Sequence, residues 1–414
     1  MKHFKFVLLS VFITFAVETI NTAEICKIDK ATDAISCVLK KHPDIVQTQT
    51  QVSISSINKK NASRWLHPEL ECEVGYSRAE EAGLAAEFAV LQTIETPTKR
   101  SARRAQADAE YAYAFALSEE QKEQATTQML AILNRLRQIN REKRILDETT
   151  NTFAEVIKRY RVRPALSPED QVSVELFGFA LNNYRIEKNQ LDNEEKELLG
   201  TLKTILCCSV SAIQKIFLYS PKVWPKIDAG SIENSADLAK EQANITRAKA
   251  DYLDRKSSSF DRFSVGPYIQ TKPGNINKIE TYGVKFAIPI PIYSNTKPVE
   301  AGRMTLSSAE LGFETKKREL ETGMENLKAK YSLGIKTLAS YNIQGMEKHH
   351  ARAKRLFDGG RVSGALLIEA HRQMVDSIKA YHQYEMETLQ ALWKIYALQR
   401  KLLTNLSEVY DENI

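Results

Sequence analysis

The sequence predicts a mostly α-helical chain with a small antiparallel β portion, written twice as helix, strand, strand and long helical hairpin. Three observations lead there. Only 16 Gly and 12 Pro occur in 414 residues, so the elements are long and seldom interrupted. Short stretches with period-two alternation, such as Leu70 to Tyr76, read as strands. The same order of elements recurs in the second half at a nearly constant offset.

Composition narrows the class. Hydrophobic residues make up 43% and charged residues 27%, and the mean hydropathy is -0.37. These values fit neither a disordered chain nor a bundle of membrane helices. The formal net charge is +6 with acids and bases interleaved, which is no nucleic-acid footprint. The 5 cysteines follow no zinc or C-x-x-C spacing. There is no G-x-S-x-G, H-E-x-x-H or Walker A motif. An enzyme is not expected, nor a cofactor, nor a resident metal.

The first element is an export signal over residues 1–23. Lys2 and Lys5 precede an apolar run from Phe6 to Val17, and Ala23 is the residue before cleavage. No other stretch is apolar for long enough to span a membrane as a helix. The mature chain is therefore expected to be exported, and any span must be made of strands. Cys26 and Cys37 either form a disulfide or stay as two buried thiols. Cys207 and Cys208 read as packing residues.

The repeat sets the domain boundaries. Asp44 opens a helix 26 residues before a strand at Leu70, and Asp237 opens a helix 26 residues before a strand at Phe263. The second strands align at an offset of 196, with Phe88, Val90, Gln92 and Ile94 over Val284, Phe286, Ile288 and Ile290. The same offset lays the helix breaker Arg163-Pro164 over Gly359-Gly360. The first repeat covers 24–214, with strands at about 70–77 and 86–96 and a hairpin at 98–206. The second covers 215–414, with strands at about 263–271 and 281–290 and a hairpin at 298–406.

Within the strands, Leu70, Cys72, Val74 and Tyr76 alternate with Glu71, Glu73 and Gly75. That pattern suits a half-buried sheet. It suits a barrel wall with lipid outside and water inside equally well. The hairpins are longer than a globular domain needs. Thr98 to Arg163 holds neither Gly nor Pro and would be roughly 100 Å long as one helix at ~1.5 Å per residue. The second hairpin should open with a similar unbroken rod from Pro298 to Phe357. In that rod Gly312, Gly323, Gly334 and Gly345 recur every 11 residues. This spacing draws a straight stripe on a helix and marks a candidate packing seam.

Four short strands cannot close a membrane barrel, since single-chain barrels start at about eight. Open edges are not tolerated in lipid. If the strands span a bilayer, several chains must share one barrel, and the rods would then stand side by side as a tube.

The segments HPDIVQTQTQVSISSINKKNASRWLHPELECEVGY, YGVKFAIPIPIYSNTKPVEAGRMTLSSAEL and LFDGGRVSGALLIEAHRQMVDSIKAYHQYEMETLQALW resemble the TolC-like outer-membrane efflux proteins. The resemblance covers essentially the whole mature chain, and the HPEL segment looks most like the heavy-metal-efflux branch. It implies a homotrimer with a 12-stranded β-barrel in the bacterial outer membrane and an α-helical barrel in the periplasm. It also implies two partners, a periplasmic adaptor and an inner-membrane pump.

By the same resemblance FDGGRVSGALLIEA is the second periplasmic tip. Gly359, Gly360, Val362 and Ser363 become candidate adaptor contacts, and Glu369 a candidate gate acid. Leu366 stands where a second acid is expected, and Phe357 near where some members carry a Tyr that locks the entrance. At the first tip Arg163-Pro164 replaces the expected Gly. His371 and His382 share a helix stripe about 16 Å apart, and His349-His350 reads as an exposed pair. The expected function is a passive exit duct of a tripartite efflux system. Alternatives are the duct of a type I protein secretion system, or an exported coiled-coil structural protein without a pore.

Overall fold

The computed structural model describes residues 31–77, 83–206, 224–228, 230–257, 262–272, 279–290 and 296–405. The expected signal peptide lies outside the described residues, as do Cys26, Cys207 and Cys208. The elements are α1 (Ala31–Lys41), α2 (Pro43–Ala62), β1 (Glu69–Ser77), β2 (Gly83–Glu95), α3 (Pro97–Arg161) and α4 (Pro168–Leu206). The second half has α5 (Ala236–Ser257), β3 (Arg262–Lys272), β4 (Ile279–Ala287), α6 (Thr296–Ser340), α7 (Ile343–Asp358) and α8 (Gly364–Leu398). Cys37 on α1 is buried and disulfide-bonded, so it is no free thiol, and its pairing lies outside the described residues. Its Sγ is 3.9 Å from the Leu206 carbonyl at the end of α4.

The four strands form one antiparallel sheet in the order β1-β2-β3-β4. Register places Cys72, Phe88, Ile269 and Tyr282 in one row and Glu73, Glu87, Gln270 and Thr281 in the next. Because strand side chains alternate, the two rows point to opposite faces. The first face is apolar yet exposed: Leu70 is 69% exposed, Tyr282 67% and Phe286 65%. The other face carries Glu71, Glu73, Glu87 and Gln270 beside the buried Ala89 and Leu91, and charges on it are internally paired. There Lys285 Nζ donates to Glu71 (2.7 Å) and Glu87 (3.2 Å). This is the reverse of a half-buried sheet, whose apolar side would lie against the protein.

Helix ends follow local chemistry. Pro43 ends the continuity of α1 and α2, since it has no N–H to donate. Thr96 caps α3, its hydroxyl accepting from Lys99 N at 3.4 Å, with Pro97 in the first turn. The 65 residues of α3 span about 100 Å at ~1.5 Å per residue. It packs against α2, α4, α5 and α8, while α6 packs on α5 and α8. Ala102, Ala109 and Ala116 are buried at seven-residue spacing on α3, which lets a neighbouring backbone approach.

The second rod departs from the expected unbroken helix. It stops at Ser340 and restarts at Ile343. Asn342 caps the restart, its Oδ1 accepting from Gly345 N at 2.8 Å. Freed from helical geometry, Tyr341 packs against Tyr381 and Tyr384 of α8, with ring centroids 5.9 and 6.3 Å away. Gly345 thus belongs to α7, and the four-glycine stripe is not one line on one helix.

Two apolar cores hold the bundle. One joins α1, the middle of α3, the end of α4 and the end of α8 around Trp393, Leu130 and Leu206. The other joins the far end of α3 with the first half of α4 and α8, around Phe153, Phe177 and Leu367. No helix among the described residues is long and apolar enough to cross a membrane.

Candidate functional site

The two helical hairpins turn side by side at 162–167 and 359–363. At the second turn Gly360 adopts φ +67, a conformation that L side chains avoid. Gly360 N donates to Phe357 O at 2.9 Å and Arg361 N to Leu356 O at 2.8 Å. These bonds satisfy the last carbonyls of α7. Ser363 then caps α8, its Oγ accepting from Leu366 N at 3.4 Å. Gly359, Gly360 and Ser363 are exposed and Val362 is half-buried.

The first turn is built differently. Ser167 caps α4 by accepting from Asp170 N at 3.1 Å, ahead of Pro168. Arg163 stands where Gly was expected. Its guanidinium stacks 4.7 Å from the Tyr160 ring centre and lies 3.6 Å from Asp170. A cation folded back over its own helix end takes the place of a glycine turn. The tips are tied together by Arg159 Nη1, which donates to Asp358 Oδ1 at 2.8 Å.

Glu369 lies on the first turns of α8, half-exposed. Arg372 donates two bonds to it, at 2.9 and 2.7 Å, and Gln373 a third at 2.8 Å. The Arg372 bonds hold its carboxyl below the usual range. The acid is thus charged but already paired on its own helix. Leu366 is 52% exposed one turn earlier. Phe357 points inward and meets Phe177 edge-on at 5.9 Å.

The four glycines have four different surroundings. A Cβ on Gly334 would fall 2.1 Å from Thr388 Oγ1 on α8, whereas one on Gly323 would meet nothing within 4 Å. On Gly312 it would only reach Glu241 at 4.0 Å. On Gly345 it would meet the capping Asn342 of its own helix at 2.6 Å.

Sequence reasoning missed two buried polar groups between the helices. In the first, Glu142 of α3 accepts from His382 Nδ1 at 2.6 Å and from Arg135 at 3.0 Å, and Arg135 also forks onto Glu194 of α4. Burial pushes the Glu142 carboxyl up. The His382 bond and the Arg135 charge outweigh burial and hold it below the usual range. Beside it Arg137 and Gln138 both donate to the fully buried Glu385, at 2.6 and 2.9 Å.

In the second group, His350 and His371 share a hydrogen bond of 2.7 Å between their Nε2 atoms. His350 is therefore not part of an exposed pair, and only His349 is exposed. A signal was present in the sequence. His371, His382 and Glu385 fall in phase with Leu367, Met374 and Ile378 on the buried face of α8. No group of three metal-ligating side chains occurs among the described residues.

No protein-family model matches the chain. No curated protein matches it. Solved structures do. The outer-membrane channel OprN superposes with TM-score 0.75 at 13% identity over 89% of this chain and 90% of that one. The outer membrane protein VceC of Vibrio cholerae gives 0.73 at 11% identity over 88% and 95%. The CmeC outer membrane channel of Campylobacter jejuni gives 0.70 at 12% identity over 91% and 88%. The fold of this chain is the fold of these channels over nearly its whole length. The likeness does not single out the heavy-metal-efflux branch.

Proposed function

We propose that the chain is one subunit of an outer-membrane exit duct of a tripartite efflux system, a passive conduit from the periplasm across the bacterial outer membrane. The carrying observation is the sheet: an exposed apolar face backed by a paired polar face, ending in two open edges, β1 and β4. In water such a face would drive aggregation. In lipid it is what a barrel wall needs, provided the edges close.

Closure requires further copies. Three chains of four strands make the 12-stranded barrel that the family resemblance implies, and the shared fold of the channels supports it. The long hairpins then line a periplasmic tube, and their tips meet an adaptor coupled to an inner-membrane pump. Gly359, Gly360, Val362 and Ser363 are the contacts we assign to the adaptor. Glu369, paired to Arg372, is the gate acid we assign just inside. The glycine seam reduces in this reading to Gly334.

The reading is tested by fractionating cells that express the full chain with its export signal, then measuring the mass and conductance of the purified protein in detergent and planar bilayers. Recovery with the outer membrane as a closed, conducting ring of three chains is expected. Recovery as a soluble periplasmic monomer would overturn it.

A further inference from the structure

The second tip is carried by α7, a short helix cut off from α6 by the break at 341–342. Its hold on α8 just before the tip is unusual. His350 of α7 faces His371 of α8 with ring centroids 4.1 Å apart and planes nearly perpendicular. His371 is fully buried. Phe153 of α3 lies edge-on at 4.9 Å, and Phe177 and Tyr184 of α4 stack behind Phe153 at 5.1 and 5.9 Å. The pair thus sits at the α3–α8 contact, with α4 packed behind it through Phe153.

The hydrogen bonds fix the protons. His371 Nδ1 lies 2.9 Å from the Leu367 carbonyl, which can only accept, so Nδ1 carries hydrogen. In a neutral His371, Nε2 is then the acceptor, and His350 Nε2–H is the donor. One proton can still enter at His350 Nδ1 and leave this bond in place. A second has no seat, because His371 Nε2 is already accepting. Double protonation sets N–H against N–H between two cations, and the pair must part.

We propose that His350 and His371 form an acid-released clasp that pins α7, and with it the second tip, to α8. The surroundings support the direction. From α7, Lys354 adds a positive charge beside both rings, its Nζ held 3.3 Å from Thr152 of α3. From α3, Glu148 offsets part of it at His350. From α4, Tyr184 is pushed by burial up to about 12 and stays neutral. Burial, aided by His350 and Lys354 and opposed by the Leu367 bond, brings His371 down to about 4. Burial and Lys354 lower His350 as well. Opening returns His371 to an ordinary value near 6.5, so the open state binds more protons and gains as pH falls. One such proton shifts the opening equilibrium roughly thirtyfold between pH 7.5 and pH 5.

That this release loosens the periplasmic tip of a duct rests on the efflux-duct reading, but the clasp does not. The test is amide hydrogen exchange of the purified full chain at pH 7.5, 6 and 5, corrected for the intrinsic pH dependence of exchange. Peptides from 343–358 should lose protection roughly thirtyfold between pH 7.5 and pH 5, while peptides from α5 hold theirs. His371→Gln, which keeps an acceptor but cannot titrate, should abolish the pH dependence. His371→Asn, which keeps the Leu367 bond, is the second variant should the first not fold. Protection of α7 that is independent of pH in the wild-type chain, or lost equally in the folded variant, would overturn the clasp. Either result would leave the duct reading standing.

Discussion

Gly334 of α6 sits directly against Thr388 of α8. A methyl group on Gly334 would sit 2.1 Å from Thr388 Oγ1 and 3.1 Å from both Cβ and Cγ2. Rotating the threonine hydroxyl away breaks its 2.7 Å bond to the Tyr384 carbonyl and leaves the Cβ contact in place. Gly334→Ala should therefore cost about 1–3 kcal/mol through overpacking, more than the roughly 1 kcal/mol that helix propensity returns. Gly323→Ala meets open space and should be neutral or stabilise by up to about 1 kcal/mol. Thermal melting of the two variants in detergent reads both signs. A stabilised Gly334→Ala would show that the helices give way freely at this point.

The Glu142–His382 pair gives a pH signature of its own. The Glu142 carboxyl is held below its ordinary 4.5 in the folded chain. Its contribution is present above that ordinary value and is lost as pH falls through the lower, folded one. Glu142→Gln should remove this step and lower stability at pH 7 by about 1–3 kcal/mol, since Arg135 and His382 lose a charged acceptor. Melting temperatures between pH 7 and pH 3 check it. An unchanged slope below pH 4.5 would mean that the carboxylate is not a stabilising ion in the native chain.

Glu123 should behave in the opposite sense. Burial, with Glu119, Glu120 and Asp237 adding to it and Arg400 opposing, pushes its carboxyl from 4.5 up to about 7. The unfolded chain ionises first, so stability falls as pH rises from 4.5 to 7. Glu123→Gln removes that loss. It should raise stability by about 1–2 kcal/mol at pH 8, the full shift being discounted for partial exposure, and change little at pH 4.5. Equal effects at both pH values would count against the shift.

The sequence carried the architecture because its signals are periodic and long. Few breakers, matched strands and alternation are repeated over many residues, so each error is averaged away. The sites are single juxtapositions between distant helices, and no local period reports them. His350 and His371 lie 21 residues apart on helices that a turn folds together. The glycine spacing was legible, but its meaning depended on Asn342 starting a new helix and on where α8 happens to lie. The paired Glu369 was likewise hidden, because Arg372 on the next turn reads from sequence as ordinary surface charge.

The direction of the sheet can be tested face by face. Val284 is 59% exposed on the apolar face, opposite Pro267 in register. Thr281 lies on the polar face, opposite Gln270, which donates to Glu87 at 3.3 Å. If the apolar face meets lipid, Val284→Arg puts a charge into hydrocarbon at a cost of about 2–4 kcal/mol near the bilayer middle, less toward the interface. Thr281→Arg puts the same charge on the polar face, in the row of Gln270 and Glu87, and should be tolerated. The readout is the yield of assembled, heat-resistant protein in the outer-membrane fraction. Val284→Arg should lose most of it and Thr281→Arg little. The reverse ranking would mean that the polar face points outward and that these strands do not form a membrane barrel.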